Sequence, residues 1–436
     1  MKINILNILV IMLVTGLTSF LAHMGMAVFH DGIRPVIPEY LSGRLKRTEM
    51  SSIAFGLSVG FIASVGIGNA LATNLLNPWL LFLATDIIGV VSPNKWISII
   101  LGALWGLLSL TGIGSINIVL TGAPIDLIGG MASVGEYVVT GFSIFPILAI
   151  IMQFGVRNGI ISSVIVLLLR ILGPKFSTIS ADAWTMLVGV LLLLGLAITK
   201  DLKEKKHKNN ESNIFSERIL KIRKNIIFLM LSGSLIALAS YLRIFAGSDV
   251  SMFDLSRAYA MTNPIASKAL IRTVATNEFF RGLSFIPLIA TTAVTTGVYG
   301  VAGFTFVYVL GYLAPNAIVA LIGGAIIIWL EIMLLNSIGK FLGKFPSLRD
   351  SSDNIRSSMN LSIEFALLIG SVIASTKMAA STTLGAAGGF IIIGIIYLIN
   401  DISGKKIMRM AIGPIAAILT GIILNLLYFV GMIGLV

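Results

Sequence analysis

The sequence is dominated by apolar stretches of membrane-spanning length, separated by short polar segments. A transmembrane helix needs about 20 mostly apolar residues to cross roughly 30 Å of hydrocarbon. Such stretches lie at 4–29, 50–70, 72–92, 96–113, 134–153, 157–172 and 183–199, then at 225–246, 282–302, 304–336, 358–377, 383–400 and 411–436. Only 11% of the 436 residues are charged, which is too few for the surface of a soluble protein. We therefore predict an all-α, polytopic membrane protein with about 12 crossings, within a range of roughly 10–14.

Basic residues are concentrated in a few polar segments. Lys200–Lys224 carries nine Lys and Arg against four Asp and Glu, and 31–49, 340–356 and 405–409 are also basic. Because Lys and Arg accumulate in cytoplasmic loops, this distribution explains the net charge of +12 without a nucleic-acid partner. It predicts an N-terminal transmembrane half (1–199), a basic cytoplasmic linker (200–224) and a C-terminal transmembrane half (225–436). Both termini are then non-cytoplasmic.

Several kinds of chemistry have no residues to support them. There is no cysteine and there are three histidines, which excludes thiolate metal sites and a His-rich metal site. No phosphate-binding Gly-Lys-Ser/Thr loop occurs, since Gly339-Lys340 continues into Phe341. We predict no cofactor, no metal and no enzymatic activity. The best candidate for clustered acid–base groups is 249–281, which includes Glu278 and Arg281 but which the predicted topology places outside the cytoplasm.

The predicted substrate site combines charged residues with helix-breaking segments inside the apolar stretches. Asp86 and Asp126 each begin a D-[IL]-I-G sequence, and segments 111–115 and 121–124, rich in glycine with hydroxyl residues or proline, flank the second copy. Transporters use broken helices to direct backbone amides and carbonyls at ligands. In the second half, the Ser/Thr/Gly-rich stretch 374–389 contains a single cation. The predicted substrate-binding residues are Asp126, Lys377, Thr121, Ser375, Thr376, Ser381 and Thr382.

Simpler explanations exist for these residues. Asp86 and Asp126 can cap helices near an interface, the small residues can serve close helix packing, and Lys377 can extend to a lipid headgroup. Ionisable groups within a membrane nevertheless mark ion or proton pathways by default. The predicted coupling-ion or proton residues are Asp86, Glu136, Glu364 and His23. Glu331 also lies in an apolar stretch, where it could pair with Lys377 or carry a proton.

Several motifs resemble those of a known family. HDGIRPVIPEYLSGRL begins at His30, AFGLSVGFIASVGI at Ala54, WLLFLATDIIGV at Trp79, LTGAPIDLIG at Leu120 and FPILAIIMQFG at Phe145. Together they are similar to the YhfT-like family of bacterial membrane proteins, to which a transport function is attributed. The resemblance implies a multi-pass protein of the bacterial inner membrane. It supplies neither a substrate nor binding residues.

Three hypotheses of function remain open. The leading one is a secondary transporter of a small polar, anionic metabolite, either coupled to H⁺ or Na⁺ or uncoupled. The alternatives are a sugar permease of the phosphotransferase type, which would need separate phosphoryl-carrier subunits, and an integral-membrane enzyme or structural subunit of a membrane complex. The expected partners are a small-molecule substrate, the lipid bilayer and a second copy of the chain in a homodimer, with no nucleic acid.

Overall fold

A computed structural model describes residues 4–30, 32–204, 212–342 and 344–436, and confirms the all-α prediction. The helices before the basic segment are α1 (Ile5–His23), α2 (Val36–Leu41), α3 (Arg47–Phe61), α4 (Ile67–Thr73), α5 (Pro78–Val91), α6 (Lys95–Thr121), α7 (Leu127–Phe142), α8 (Phe145–Phe176) and α9 (Ala181–Lys203). They are followed by α10 (Ser212–Lys224), α11 (Ile226–Tyr241), α12 (Asp249–Ala260), α13 (Pro264–Thr296), α14 (Phe306–Leu313), α15 (Ala317–Leu342), α16 (Pro346–Ala380), α17 (Gly385–Ile402) and α18 (Arg409–Phe429). Two short strands, β1 (Ala27–Val28) and β2 (Tyr299–Gly300), complete the described elements.

The helices make this a multi-pass membrane protein. Within the described residues, nine helices are long and apolar enough to cross a membrane, or ten if a bent pair counts as one span. That pair consists of 216–224 and 226–241, which meet at 63°. The predicted count of about 12 crossings is therefore not confirmed. The type of membrane and the sidedness of the linker and termini stay predictions.

The outer surface is apolar where lipid would contact it. Leu108 of α6, Leu167 of α8, Ile322 of α15 and Ile391 of α17 are all more than half exposed. Apolar exposure on this scale marks a membrane or partner surface rather than a face in water. The largest buried apolar cluster draws residues from both sides of the basic segment, including Phe82 and Phe304. The two predicted halves therefore share one core.

The starts of several helices are specified by local sequence. Asn77 accepts a hydrogen bond from the backbone N–H of Leu80 at 2.9 Å, and Pro78 occupies the first turn of α5. Asn263 and Pro264 begin α13 in the same manner. The side chain of an Asn cap accepts a hydrogen bond from a backbone N–H that has no partner inside the helix. Proline at the first helical position removes no hydrogen bond of the helix, because an N–H there would have no partner within it. These pairs fix where the chain enters α5 and α13.

Non-helical segments from the two halves pair at two places in the interior. β1, which follows α1, runs parallel to β2, which follows α13, and Tyr299 donates its N–H to the carbonyl of Met26 at 3.0 Å. Leu76 forms a parallel bridge with Phe245 between two other connecting segments. Buried backbone groups that leave a helix need new hydrogen-bond partners. These pairings provide them and join the halves through their backbones.

Broken helices occur, although not everywhere that the sequence predicts. α6 is continuous through 111–115, so the prediction of an interruption there is wrong: helical hydrogen bonding accommodates its glycines and hydroxyl residues. The predicted break at 121–124 is present, between α6 and α7. A π-helical turn (Ile62–Gly66) separates α3 from α4, and Gly155 bends α8 with a φ of 82°. Only glycine adopts such an angle without steric cost.

Candidate functional site

A cavity of about 180 Å³ lies where two non-helical segments, one of residues 29–30 and 32–34 and the other of residues 300–305, meet α13 and α16. Its walls are largely apolar and aromatic. The larger side chains among them are Phe29, Phe61, Trp79, Leu83, Phe142 and Phe285. Concave, mostly apolar sites with a few polar groups are typical of small-molecule binding.

Three arginines line this cavity, and they are its charged residues within the described part of the chain. Arg34 is 1% exposed and donates through Nη1 to the carbonyl of Ile289 at 3.4 Å. Arg281 is 8% exposed, and its guanidinium carbon lies 4.9 Å from the centre of the Phe285 ring. Arg356 comes from α16. Since arginine stays protonated and binds planar anions through paired N–H groups, the cavity favours an anion.

The arginines differ in their internal partners. Nη1 of Arg281 is 3.0 Å from Oε1 of Glu278, and both side chains are buried. Oε2 of Glu278 accepts hydrogen bonds from the hydroxyls of Ser248 and Ser251. Nη1 of Arg356 is instead 3.1 Å from a carboxylate oxygen of Asp353, whose side chain is 78% exposed. Among the described residues, the carboxylate paired with Arg356 is thus one in contact with water.

Arg356 and Thr305, which both line the cavity, each have a buried polar atom without a hydrogen-bond partner in the described structure. The atoms are Nε of Arg356 and Oγ1 of Thr305. A buried polar atom without a partner costs about 1–3 kcal/mol, so native proteins rarely leave one unpaired. Both atoms are closed to a water-sized molecule, so a ligand in the cavity would accept hydrogen bonds from them only after a side-chain movement.

Two buried carboxylates hold the non-helical walls in place. Asp86 of α5 accepts the N–H groups of Phe29 and His30 at 3.0 and 2.9 Å on Oδ2. Glu331 of α15 accepts the Tyr299 hydroxyl at 2.5 Å and the Phe304 N–H at 3.1 Å on Oε2. Each carboxylate therefore replaces the hydrogen bonds that an unwound segment lacks.

The wall held by Glu331 depends on its backbone conformation. Gly303 has a φ of 59°, and a Cβ atom at this position would overlap with the carboxylate of Glu331. Thr305 also has a positive φ, of 74°, which is uncommon for a residue other than glycine. This conformation begins α14 and places Thr305 on the cavity wall.

The predicted substrate residues lie elsewhere, mainly along α7 and α16. Asp126 is exposed and caps α7 by accepting the Gly129 N–H at 2.8 Å, and Lys377 is exposed with Nζ 3.3 Å from Oγ of Ser133. Thr121 ends α6, and its hydroxyl donates to the carbonyl of Asn117. The structure thus brings Asp126 and Lys377 to one helix pair, and their role in binding stays a prediction.

The hydroxyl residues near Lys377 are mostly occupied by local contacts. Thr376, Ser381 and Thr382 donate to carbonyls three residues earlier, at 2.7–2.9 Å. Ser375 is fully buried, and its Oγ has no hydrogen-bond partner in the described structure. None of the predicted substrate residues is among those that line the cavity.

Of the predicted coupling residues, Asp86 is the one that supports the cavity wall. His23 is partly buried, with Nδ1 3.0 Å from the carbonyl of Gly89. Glu136 is exposed on α7, and Glu364 on α16 is 3.6 Å from Nη1 of Arg409. The structure does not bring these groups together at one site.

Sequence reasoning missed the three cavity arginines. By sequence, Arg34 groups with the basic residues of 31–49, and Arg281 with a segment that the predicted topology places outside the cytoplasm. In the structure Arg281 lies in the middle of the continuous helix α13. The signal that could have identified Arg34 is its place in the HDGIRP motif, just after an apolar stretch and directly before a proline. A cytoplasmic loop needs basic residues, but it does not need an arginine at that position.

Comparison with known proteins places the chain in a family. The family model of YhfT, described as a protein of unknown function, matches residues 7–433. The "Uncharacterized protein YhfT" of Escherichia coli (strain K12) is 46% identical over 432 residues, which cover 98% of each chain. No solved structure matches this fold. The chain therefore belongs to the YhfT family.

Proposed function

We propose that this protein is a membrane transporter of a small organic anion, which binds in the arginine-lined cavity. The observation that carries the proposal is that three arginines line one largely apolar cavity, two of whose wall residues have a buried polar atom without a partner in the described structure. Hydrogen bonds between a guanidinium and an anionic oxygen are among the strongest available in proteins. In this proposal the protein is not an enzyme, and the arginines bind the substrate without reacting with it.

The cavity also indicates the size and character of the anion. An engineered cavity of about 150 Å³ accommodates benzene, so about 180 Å³ has room for one ring and an acidic group. Trp79 and Phe285 on the walls would contact such a ring. We therefore propose a substrate with an apolar, ring-sized body and a carboxylate, sulfonate or phosphate group.

Transport requires the site to open alternately to the two sides of the membrane. The non-helical residues 29–30, 32–34 and 300–305 are suited to this motion, since most of them form walls of the cavity and they interrupt the regular helix packing. Transporters of other families bind substrates at such discontinuous segments. We propose that a rearrangement of the β1–β2 pair accompanies release of the anion.

The proposal is tested first by ligand binding. The purified protein is heated with benzenesulfonate and, in parallel, with the uncharged analogue benzenesulfonamide. A ligand that binds only the native state raises its stability by about 2.7 kcal/mol at 100 times its Kd. We expect a higher Tm with the anion only. Arg34→Gln should abolish this shift, whereas Arg44→Gln, in which an exposed arginine of the same segment is changed, should retain it.

Transport itself is tested by uptake of radiolabelled benzenesulfonate into liposomes that contain the protein. Saturable uptake by the wild type and its loss in Arg34→Gln would support the proposal. Binding without uptake would refute a transport function, and equal binding of both analogues would refute the anion site. If Asp126→Ala and Lys377→Ala abolish uptake while Arg34→Gln does not, the substrate site is the one predicted on α7 and α16.

A further inference from the structure

Glu331 differs from the other buried carboxylates in how its charge is accommodated. It is the fifteenth residue of the 26-residue helix α15, near its centre, and is 3% exposed. Both of its hydrogen bonds reach Oε2, while Oε1 is buried with no partner in the described structure. No Lys, Arg or His of the described chain is ion-paired with it. An ionised carboxylate in such a place is expensive to bury.

The other buried carboxylates of the described chain have partners on both oxygens. Both oxygens of Asp86 accept a backbone N–H, at 3.2 Å or less. Glu278 is ion-paired with Arg281, and Asp201 accepts hydrogen bonds from the N–H and hydroxyl of Ser347, one on each oxygen. A proton on Oε1 of Glu331 would remove its buried charge and leave Oε2 free to accept both existing hydrogen bonds.

We propose that Glu331 binds a proton when the anion enters the cavity, so that anion and proton are transported together. This inference rests on the proposed function and adds its coupling ion. Oε2 of Glu331 accepts the N–H of Phe304, and residues 300–303 and 305 of the same segment line the cavity. An anion in the cavity and an ionised Glu331 would thus both lie near this segment, and little water would screen their repulsion.

This repulsion makes the two binding events reciprocal. If protonation of Glu331 strengthens anion binding, anion binding must strengthen protonation by the same factor. We expect anion binding to be on the order of tenfold tighter with Glu331 protonated, since couplings between sites usually amount to roughly 5–150-fold. Affinity should thus be highest at low pH and fall as pH rises.

Other titratable groups surround the cavity and must be separated from Glu331. Tyr299 donates its hydroxyl to Glu331, and Arg34 lines the cavity. His30 lines the cavity and titrates in the neutral range in its ordinary state, which makes it the main rival. The other titratable or charged side chains on elements packed against α15 have no hydrogen bond or ion pair to Glu331 within the described chain. They include Arg218 and Lys221 on α10, Glu278 and Arg281 on α13, Tyr308 and Tyr312 on α14, and Asp353 and Arg356 on α16.

The test is calorimetric binding of benzenesulfonate at pH 6 and pH 9, since this anion keeps its charge over the whole range. Wild type should bind about tenfold more weakly at pH 9. A factor of ten over three pH units corresponds to an average uptake of about one third of a proton per bound anion, which is counted from two buffers of different ionisation enthalpy at intermediate pH. Glu331→Gln should bind with equal affinity at both pH values and take up none, because the amide oxygen can still accept from Tyr299 and Phe304. Glu364→Gln, a surface change, and His30→Gln should retain the wild-type pH dependence.

The outcomes separate this inference from the function on which it rests. A Glu331→Gln protein that keeps the wild-type pH dependence, or a His30→Gln protein that loses it, would overturn Glu331 as the proton site and leave the anion site intact. Failure of the wild type to bind benzenesulfonate at either pH would overturn the proposed function, and this inference with it. Size-exclusion profiles of all variants show whether each one is folded.

Discussion

Replacement of Arg356 by glutamine should weaken anion binding without unfolding the protein. In the described part of the chain, Nε of Arg356 is buried without a hydrogen-bond partner, and the two other nitrogens of Arg356 contact Asp353 at 3.1 Å and Thr292 at 3.3 Å. A hydrogen bond to a charged group contributes about 1.5–3 kcal/mol. Loss of one such bond to the anion should raise Kd by a factor of roughly 10–150, at 1.4 kcal/mol for each factor of ten.

The structural cost of this substitution is small by comparison. The side chain of Asp353 is 78% exposed, and an exposed ion pair contributes about 0–1 kcal/mol to stability. Arg356→Lys keeps the charge but loses the planar pair of donors, so its Kd should fall between those of wild type and Arg356→Gln. The measurement is calorimetric titration with benzenesulfonate, with Arg409→Gln as the matched control because Arg409 is exposed and paired with Glu364.

One result would refute the reasoning. If folded Arg356→Gln binds benzenesulfonate within twofold of the wild-type Kd, the unpartnered Nε is not a ligand-binding group. Equal losses in Arg356→Gln and Arg409→Gln would show instead that the anion responds to net charge at a distance. Only a loss confined to Arg356 supports direct contact.

Two further substitutions test the packing around the cavity. Gly303→Ala should lower the Tm and abolish benzenesulfonate binding, because the new Cβ would overlap with the buried carboxylate of Glu331 and the residue has a φ of 59°. Gly394→Ala is the control and should leave Tm and Kd unchanged, since the space around Gly394 is open. An unchanged Tm and Kd in Gly303→Ala would refute the tight contact between Gly303 and Glu331. Asp201→Ala should destabilise the protein by about 1–3 kcal/mol, since it removes a buried acceptor for the N–H and hydroxyl of Ser347 at the start of α16. Thermal unfolding in detergent measures this loss, and a Tm equal to that of the wild type would contradict it.

The helices were predictable from sequence to the extent that apolar length and basic loops define them. The stretches 183–199 and 383–400 correspond closely to α9 and α17. The stretch 134–153 spans the end of α7 and the start of α8, because a turn at 143–144 without charge or proline leaves no hydropathy signal. At 264–281 the polar residues led to the opposite error, since this segment is not predicted as part of a long helix. It belongs to α13, where the buried ion pair allows Glu278 and Arg281 to lie within the helix.

The candidate site was harder to predict because its residues are distant in sequence, and because a polar residue in the sequence does not reveal whether it is buried or exposed. Asp126 stood out as a carboxylate within an apolar stretch, yet in the structure it caps a helix at the surface. Arg34 looked like one basic loop residue among several, yet it is 1% exposed. Local composition cannot distinguish these cases, since the strand that precedes Arg34 pairs with residues 272 positions later in the chain.

The parallel between Asp86 and Glu331 gives the strongest argument for how site and fold are connected. Each carboxylate stands on a helix behind the cavity and holds the backbone of one unwound segment, and β1 and β2 join these two segments. A proton on Asp86 would weaken acceptors on which two backbone N–H groups depend. At Glu331 the proton can bind Oε1, which accepts no hydrogen bond in the described structure. Asp86 is therefore suited to keep its segment fixed. Glu331 is suited to change its charge while Oε2 keeps its hydrogen bonds to the other segment.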